Sequence, residues 1–536
     1  MKHKLALVYG VPFGTIMEQI GIGSIGAYMR RNGYDVKIFC LEAYDNIIDA
    51  VIEYKPDYIG FNTVTINLSH MAGLAKKMRD KLDDSCVFFG GVGASGNIKE
   101  VLLFYPVVDY VVYGEGEISV YELIERVRKG ESVEGCDGIA YRKDGQIIIE
   151  KPRDLIVDLD ALAFPARDVL IENKDKMMGY LGSAMLETAR GCCADCSFCD
   201  NYVSRQQRGA IWRGKSVARV VDELQYLVDE LQIKRVHFQD RTFEDPGKLG
   251  MNRILEIAEE IIHRGIKAEF SICVRAENWN EDNKYILQRL VEAGLFAVQV
   301  GIESGNDETL QLYNKRATIE DNIRIINLLE ELHIIIDVGF IMFHPYNTFE
   351  ELRTNIKFLF DHNLGHIKKN LFTQLELTPH TDLYNKILKD SLSPKTFSGD
   401  TLNYGYQDPR IENMIRYLPK HASDNDSFII CDVIHFELNY LLQKLFFLVS
   451  WNKIDESYYL KIKESKEEIF RRLAKLNFVY ITELFDMAES GKTNEEIARF
   501  VNTFDNSPYV TIYNEFKIIR FEVTHKLMTH NVLELR

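Results

Sequence analysis

An apolar run of the ~18 residues that a membrane-spanning helix needs occurs nowhere in this chain, so no membrane span is expected. Positive charge is scarce as well. There are 64 lysines and arginines against 80 aspartates and glutamates, and a net charge of −16 suits no long phosphate backbone, so nucleic acid is not an expected partner. Internal repeats and low-complexity tracts are missing. The opening MKHKLALVYGVPFG imitates a secretory leader, but its apolar run is short and reads as a buried first strand. Without a leader, nine scattered cysteines point to thiols in a reducing cytoplasm and not to disulfides. What remains is ordinary globular composition, 46% hydrophobic and 27% charged over 536 residues, too long for one core and consistent with three domains.

Over the first 150 residues short apolar runs alternate with helical patterns. Strands are expected at Leu5–Tyr9, Asp35–Cys40, Tyr58–Phe61, Val87–Phe89 and Tyr110–Tyr113, with amphipathic stretches such as Ile22–Arg31 and Leu68–Lys81 between them. That alternation predicts a doubly wound parallel sheet with its ligand site at the strand C-terminal ends. Glycines gather at those ends: Gly10 and Gly14, then Gly90, Gly91 and Gly93, then Gly114 and Gly116 around Glu115. Glycine there lets backbone approach a ligand, or simply turns a strand into a helix.

Chemistry is densest in ARGCCADCSFCDN, where Cys192, Cys196 and Cys199 stand as C-x-x-x-C-x-x-C. Three thiolates so close together can ligate three irons of a 4Fe–4S cube and leave the fourth open for a substrate. A zinc knuckle would pair two C-x-x-C arms, and the second arm is absent. Cys193 is read as a spare thiol or a small buried residue, not as a ligand.

With Arg190-Gly191 before the first cysteine and Phe198 before the last, this stretch resembles the signature of the radical S-adenosylmethionine (SAM) enzymes. FFGGVGASGNIKEVL and VVDYVVYGEGE look like the cobalamin-binding domain found ahead of many radical SAM domains, and DLDALAFPARDVL (Asp158–Leu170) looks like the segment joining the two. The resemblance covers residues 1 to about 390. It implies an N-terminal cobalamin-binding domain at 1–150, a linker at 151–180 and a partial (β/α)6 radical SAM barrel at 181–390. From about Ser391 the pattern changes to helices joined by polar loops, so 391–536 is expected to be a mostly helical domain that serves substrate recognition. The resemblance also implies that Gly90, Gly91, Gly93, Gly114, Glu115 and Gly116 line the slot for the cobalamin nucleotide tail, with Thr63, Val64, Thr65 and Asn67 near the lower face of the corrin. Corrinoid proteins that ligate cobalt through histidine carry D-x-H-x-x-G; here Leu68 replaces the aspartate ahead of His70, so His70 reads as an ordinary helix residue.

Barrel strands are expected at Leu186–Ala189, Val236–Gln239, Glu269–Cys273, Ala297–Gly301, Asp337–Ile341 and Leu371–Gln374, and parallel barrels do their chemistry at strand C-terminal ends. VHFQDRTF puts Asp240 in the family's acidic position. SICVRAENW puts Arg275 where a guanidinium meets the SAM carboxylate. VQVGIESGNDETL carries Glu303 and Ser304 in the element that lines the SAM amino acid and ribose. Relatives often have glycines where Phe343, Tyr346 and His380 stand, and His344 and His380 are read as structural histidines or proton carriers.

The resemblance therefore implies 4Fe–4S, SAM and cobalamin as cofactors, a small-molecule or peptide substrate, and a reductant such as flavodoxin or ferredoxin. The implied activity is methylation of an unactivated carbon by way of a 5′-deoxyadenosyl radical and methylcobalamin. Rearrangement, cyclisation or oxidation is the alternative, and a corrinoid carrier or sensor is the non-enzymatic one. Transfer-RNA methylthiolation is disfavoured, because Cys40, Cys86 and Cys136 are isolated and the net charge is acidic.

Overall fold

The first strand, KLALVY, is buried along almost its whole length, as expected of a central strand covered on both faces. The computed structural model describes residues 3–10, 16–82, 84–177, 184–201, 209–244, 246–247, 250–392, 404–418 and 426–530; Gly14 lies outside them. The chain divides into two units, one of Met1–Glu260 with Leu377–Lys386 and Pro394–Asn403, the other of Ile261–Glu376 with Ile387–Ser393 and Tyr404–Arg536.

In the first unit β1 (Lys4–Tyr9), β2 (Asp35–Cys40), β3 (Tyr58–Asn62), β4 (Cys86–Gly90) and β5 (Tyr110–Val112) form a parallel sheet in the order β2-β1-β3-β4-β5. Each lies within a residue or so of its expected place. Val8, Phe61 and Phe89 pack on one face with the helix Leu68–Arg79, and Leu7, Phe88 and Val112 on the other with the helices Ile20–Arg31 and Gly116–Lys129. The sheet then continues into an antiparallel pair missed by the sequence reading, β6 (Ile139–Lys143) and β7 (Gln146–Ile149). Its signal was Asp144-Gly145, whose φ values of 50° and 77° are those of a two-residue hairpin turn.

β8 (Ala184–Leu186) runs parallel to β11 (Arg235–Phe238). Between them β9 (Ala189–Arg190) and β10 (Arg213–Gly214) pair antiparallel, so a short ladder closes the base of the segment that holds the cysteines. Gly191 follows at φ 89°, and a Cβ there would collide with the Ile211 carbonyl. No other residue fits that turn without moving backbone. The linker is fastened from inside: buried Arg167 donates to Glu18 at 2.5 Å, Glu223 at 2.6 Å and the Met185 carbonyl at 2.7 Å.

In the second unit β12 (Glu269–Val274), β13 (Leu295–Glu303) and β14 (Ile335–Phe340) are parallel neighbours. Thr348 and Glu351 form the expected capping box of the helix Phe349–Asp361. Residues 371–374, expected as a sixth strand, contribute only a single bridge from Gln374 to Phe343. The preceding Lys368–Leu371 is a 3-10 turn, held because Lys368 Nζ donates to Ser427 Oγ at 2.7 Å and Lys369 Nζ to Asp337 Oδ1 at 3.0 Å. The C-terminal helices Asp426–Ser450, Glu456–Glu489 and Ser507–Thr529 pack their apolar faces together. Among the described residues no helix is long and apolar enough to cross a membrane.

Candidate functional site

Cys192 is buried, Cys196 and Cys199 are half-buried, and Cys193 is exposed. The Ala194 N–H donates to Cys192 Sγ at 3.4 Å, and Asn201 Nδ2 to the Cys192 carbonyl at 2.9 Å. Arg241 forms a two-pronged pair with Asp200 at 2.6 and 3.0 Å and lies within electrostatic reach of Cys192 and Cys199. Burial, then the Asp200 carboxylate, pushes the Cys199 thiol up to about 11. Among the described residues no three His, Cys, Asp or Glu side chains converge as ligands of one ion would. A cube of irons takes its thiolates at separate corners. The donor set of three cysteines, one N–H aimed at sulfur and a nearby guanidinium therefore suits an anionic cluster.

Asp240, 4% exposed, accepts from the Thr188 and Ala189 N–H groups at 2.7 and 3.1 Å and from Thr188 Oγ1. It fixes the turn that leads into the cysteine segment. Burial raises its carboxyl to about 6.

At the C-terminal edge of the parallel sheet lies a cavity of about 240 Å³ with apolar walls from Leu7, Ile25, Phe88 and Val112. Gly90, Gly91, Gly114 and Gly116 line it. Gly91 has φ 86°, where a Cβ would strike Asn62 and Thr63, and a Cβ on Gly93 would strike Val64. Thr63 locks this corner: its Oγ1 donates to the Gly90 carbonyl at 2.9 Å and accepts from the Ala94 N–H at 3.0 Å. Asn67 is likewise engaged, accepting from the Val64 N–H at 3.0 Å and donating to the Gly10 carbonyl at 3.4 Å. Val64 and Thr65 are half-buried beside them, and His70 is exposed on its helix. A glycine-rimmed apolar slot of this kind fits a flat heteroaromatic tail.

The link between slot and cysteines was invisible in the sequence. Arg190, two residues before Cys192, donates to Glu117 at 2.7 Å and Glu115 at 3.3 Å, and all three line the cavity. Glu115 also accepts from Arg213 at 2.9 Å and from the Ile156 N–H at 2.7 Å, so its carboxylate positions these segments.

In the second unit Glu303 ends β13 at φ 62°, a left-handed conformation costly for a non-glycine residue and concentrated at functional sites. Burial raises its carboxyl, while Lys315, 3.5 Å away, and then Arg275 pull it down. Arg275 Nε donates to Glu277 at 2.8 Å. Ser304 is fully buried and bonds Asn355 Oδ1 at 3.0 Å, which makes it a support of the Glu303 turn. Lys315 and Asn355 went unnoticed because nothing local marks them. His344 is 1% exposed, its Nδ1 accepting from the Tyr346 N–H at 3.3 Å, and burial lowers it to about 4. His380 is exposed.

Comparison with known proteins matches residues 186–359 to the radical SAM superfamily and 6–124 to the B12 binding domain. An uncharacterised methyltransferase of Pyrococcus horikoshii is 30% identical over 349 residues, 64% of this chain and 73% of that protein. The anaerobic magnesium-protoporphyrin IX monomethyl ester cyclase of Rubrivivax gelatinosus is 26% identical over 68% of this chain and 65% of its own length. Among solved structures, the cobalamin-dependent S-adenosylmethionine radical enzyme OxsB with aqua-cobalamin and S-adenosylmethionine bound shares the fold at TM-score 0.70 and 18% identity, over 98% of this chain and 80% of that one. The radical SAM methyltransferase TsrM of Kitasatospora setae, with cobalamin and a [4Fe-4S] cluster, does so at TM-score 0.59 and 19% identity over 74% and 77%. The cofactors are accordingly a 4Fe–4S cluster, SAM and cobalamin, and the chain belongs to the cobalamin-binding radical SAM enzymes.

Proposed function

We propose that this enzyme methylates an unactivated carbon of a small-molecule or peptide substrate. Bound together, the three cofactors supply hydrogen abstraction by a 5′-deoxyadenosyl radical and a methyl group carried on cobalt. In this reading Cys192, Cys196 and Cys199 hold the cluster, with Asp240 setting the turn that presents them. Arg275 and Glu303 orient SAM from strand ends that Ser304 and Lys315 brace. Gly90, Gly91, Gly93, Gly114 and Gly116 admit the cobalamin tail, while Val64 and Thr65 face the corrin; no histidine of this chain is assigned to cobalt.

The observation that carries the proposal is the Arg190–Glu117 pair. It fastens the cysteine segment to the wall of the cobalamin slot, and methyl transfer needs cluster and cobalt held in register. The methyltransferase relative supports the same reading. The cyclase relative favours a second one, in which the substrate radical closes a ring or rearranges.

Anaerobic turnover with candidate substrates separates the two. Methylation consumes one SAM to 5′-deoxyadenosine and another to S-adenosylhomocysteine, so both should rise together, about one of each per methylated product. Sustained 5′-deoxyadenosine with substrate conversion, but without S-adenosylhomocysteine or a methyl mass gain, decides for the second reading.

A further inference from the structure

Toward their C-terminal ends β12, β13 and β14 are one-sided. Ile272, Val298, Val300, Ile336 and Val338 are buried on one face, while the other carries polar groups and glycines in register. One row across that face is Cys273, Gln299 and Asp337. The next row toward the strand C-terminal ends holds Gly301 opposite Gly339, both half-buried where Val300 and Val338 beside them are buried, so this end of the face keeps solvent access. Glu303 lies farther along β13, past a bulge, and its carboxylate folds back over Gly301, where a Cβ would stand 2.6 Å from Glu303 Oε1.

Donors converge on Asp337 from both ends of the row. Cys273 Sγ donates to Gln299 Oε1 at 3.0 Å, Gln299 Nε2 to Asp337 Oδ2 at 3.2 Å, and Lys369 Nζ to Asp337 Oδ1 at 3.0 Å. Asp432, on the helix Asp426–Ser450, stands 3.9 Å from the same ammonium, and its Oδ1 is buried with no donor. Two carboxylates thus share one lysine, and the acceptor left over is one that a buried site must normally satisfy. The side chains of Lys369 and Asp432 keep 28% and 16% of their exposure, so a ligand can approach the pair through its exposed atoms, Oδ1 itself being buried.

We propose that this row, completed by Lys369 and Asp432, is the substrate subsite and that it holds a protonated primary amine of the substrate. An ammonium group supplies the second positive charge that Asp337 and Asp432 lack beside Lys369. The rest of the molecule then extends past the Gly301–Gly339 gap toward Glu303. The assignment rests on the proposed reading only in calling the bound amine a substrate.

The test reads binding on the full-length, cluster-reconstituted protein without turnover. Saturation-transfer NMR is recorded with butylammonium, butyrate and butyramide as probes, on wild type, Asp432→Asn, Asp432→Glu and Lys369→Gln. Butylammonium should bind selectively, weaken at least about tenfold in Asp432→Asn, recover in Asp432→Glu and tighten in Lys369→Gln. Should Asp432→Asn fail to fold, Lys369→Gln and Asp432→Glu still decide. Preference for butyrate, absence of butylammonium binding, or amine binding indifferent to these substitutions overturns the subsite. Lower melting temperatures in the variants with no amine binding make the row a structural tie of the helix to β14. Because no methyl transfer is measured, failure here leaves the methylation reading standing, and failure of methylation leaves amine binding to be judged separately.

Discussion

Arg190 and Glu117 form an ion pair at 2.7 Å in which the glutamate is only 3% exposed, and the arginine begins the cysteine segment while the glutamate belongs to the cobalamin domain. A buried pair of this kind contributes through the penalty of breaking it. Arg190→Met strands Glu117 and should cost about 3–5 kcal/mol in urea unfolding of the apoprotein. Burial pushes the Glu117 carboxyl up, and Arg190 with Ser24 more than offsets it, so its pKa is lowered on folding. A group depressed in the folded state adds stability above its unfolded value, and that stability is lost as pH falls through the folded one. The gap between wild type and Arg190→Met should therefore be widest near neutrality and narrow below about pH 4.5.

Cobalamin uptake should depend on backbone space at the slot. Gly91→Ala introduces a Cβ at φ 86° against Asn62, and Gly93→Ala one against Val64. Both should lose corrinoid absorbance on reconstitution while keeping the iron–sulfur band. Gly73→Ala, with open space around it, serves as the control and should bind cobalamin as wild type does.

Cluster ligation separates the four cysteines. Cys192→Ala, Cys196→Ala and Cys199→Ala should each abolish the iron–sulfur absorbance after anaerobic reconstitution. Cys193→Ala, which removes an exposed thiol, should retain it. Loss in the Cys193 variant with survival in any of the others contradicts the ligand set.

Glu303→Gln and Arg275→Ala should weaken SAM binding to the reconstituted protein at least about tenfold, equivalent to ~1.4 kcal/mol, in equilibrium dialysis. Cobalamin content should not change, because both residues lie outside the matched B12 binding domain.

The parallel strands were legible because continuous apolar runs bounded by glycine leave little choice of structure, and the cysteine motif stood out because its three residues lie within eight positions of one another. What escaped was long-range. Glu117 looks like any helix-start carboxylate until Arg190 arrives from a segment 73 residues away. Asp240 was placed only by its position after a strand, and its partners Thr188 and Ala189 lie about fifty residues away, where nothing local marks them. The sixth strand failed for a similar reason: Lys368 and Lys369 are drawn to Ser427 and Asp337, and those distant partners hold the turn against the apolar pattern that followed.

The central claim is that one chain carries both a SAM-cleaving cluster and a corrinoid. It is tested most directly by reconstituting the full-length protein anaerobically with iron, sulfide and hydroxocobalamin, counting both cofactors per chain, then adding reductant and SAM. The account predicts one corrinoid and one 4Fe–4S cluster per chain, with 5′-deoxyadenosine formed only when the cluster is present. Protein that cleaves SAM while taking up no corrinoid, or that binds corrinoid and never cleaves SAM, contradicts it.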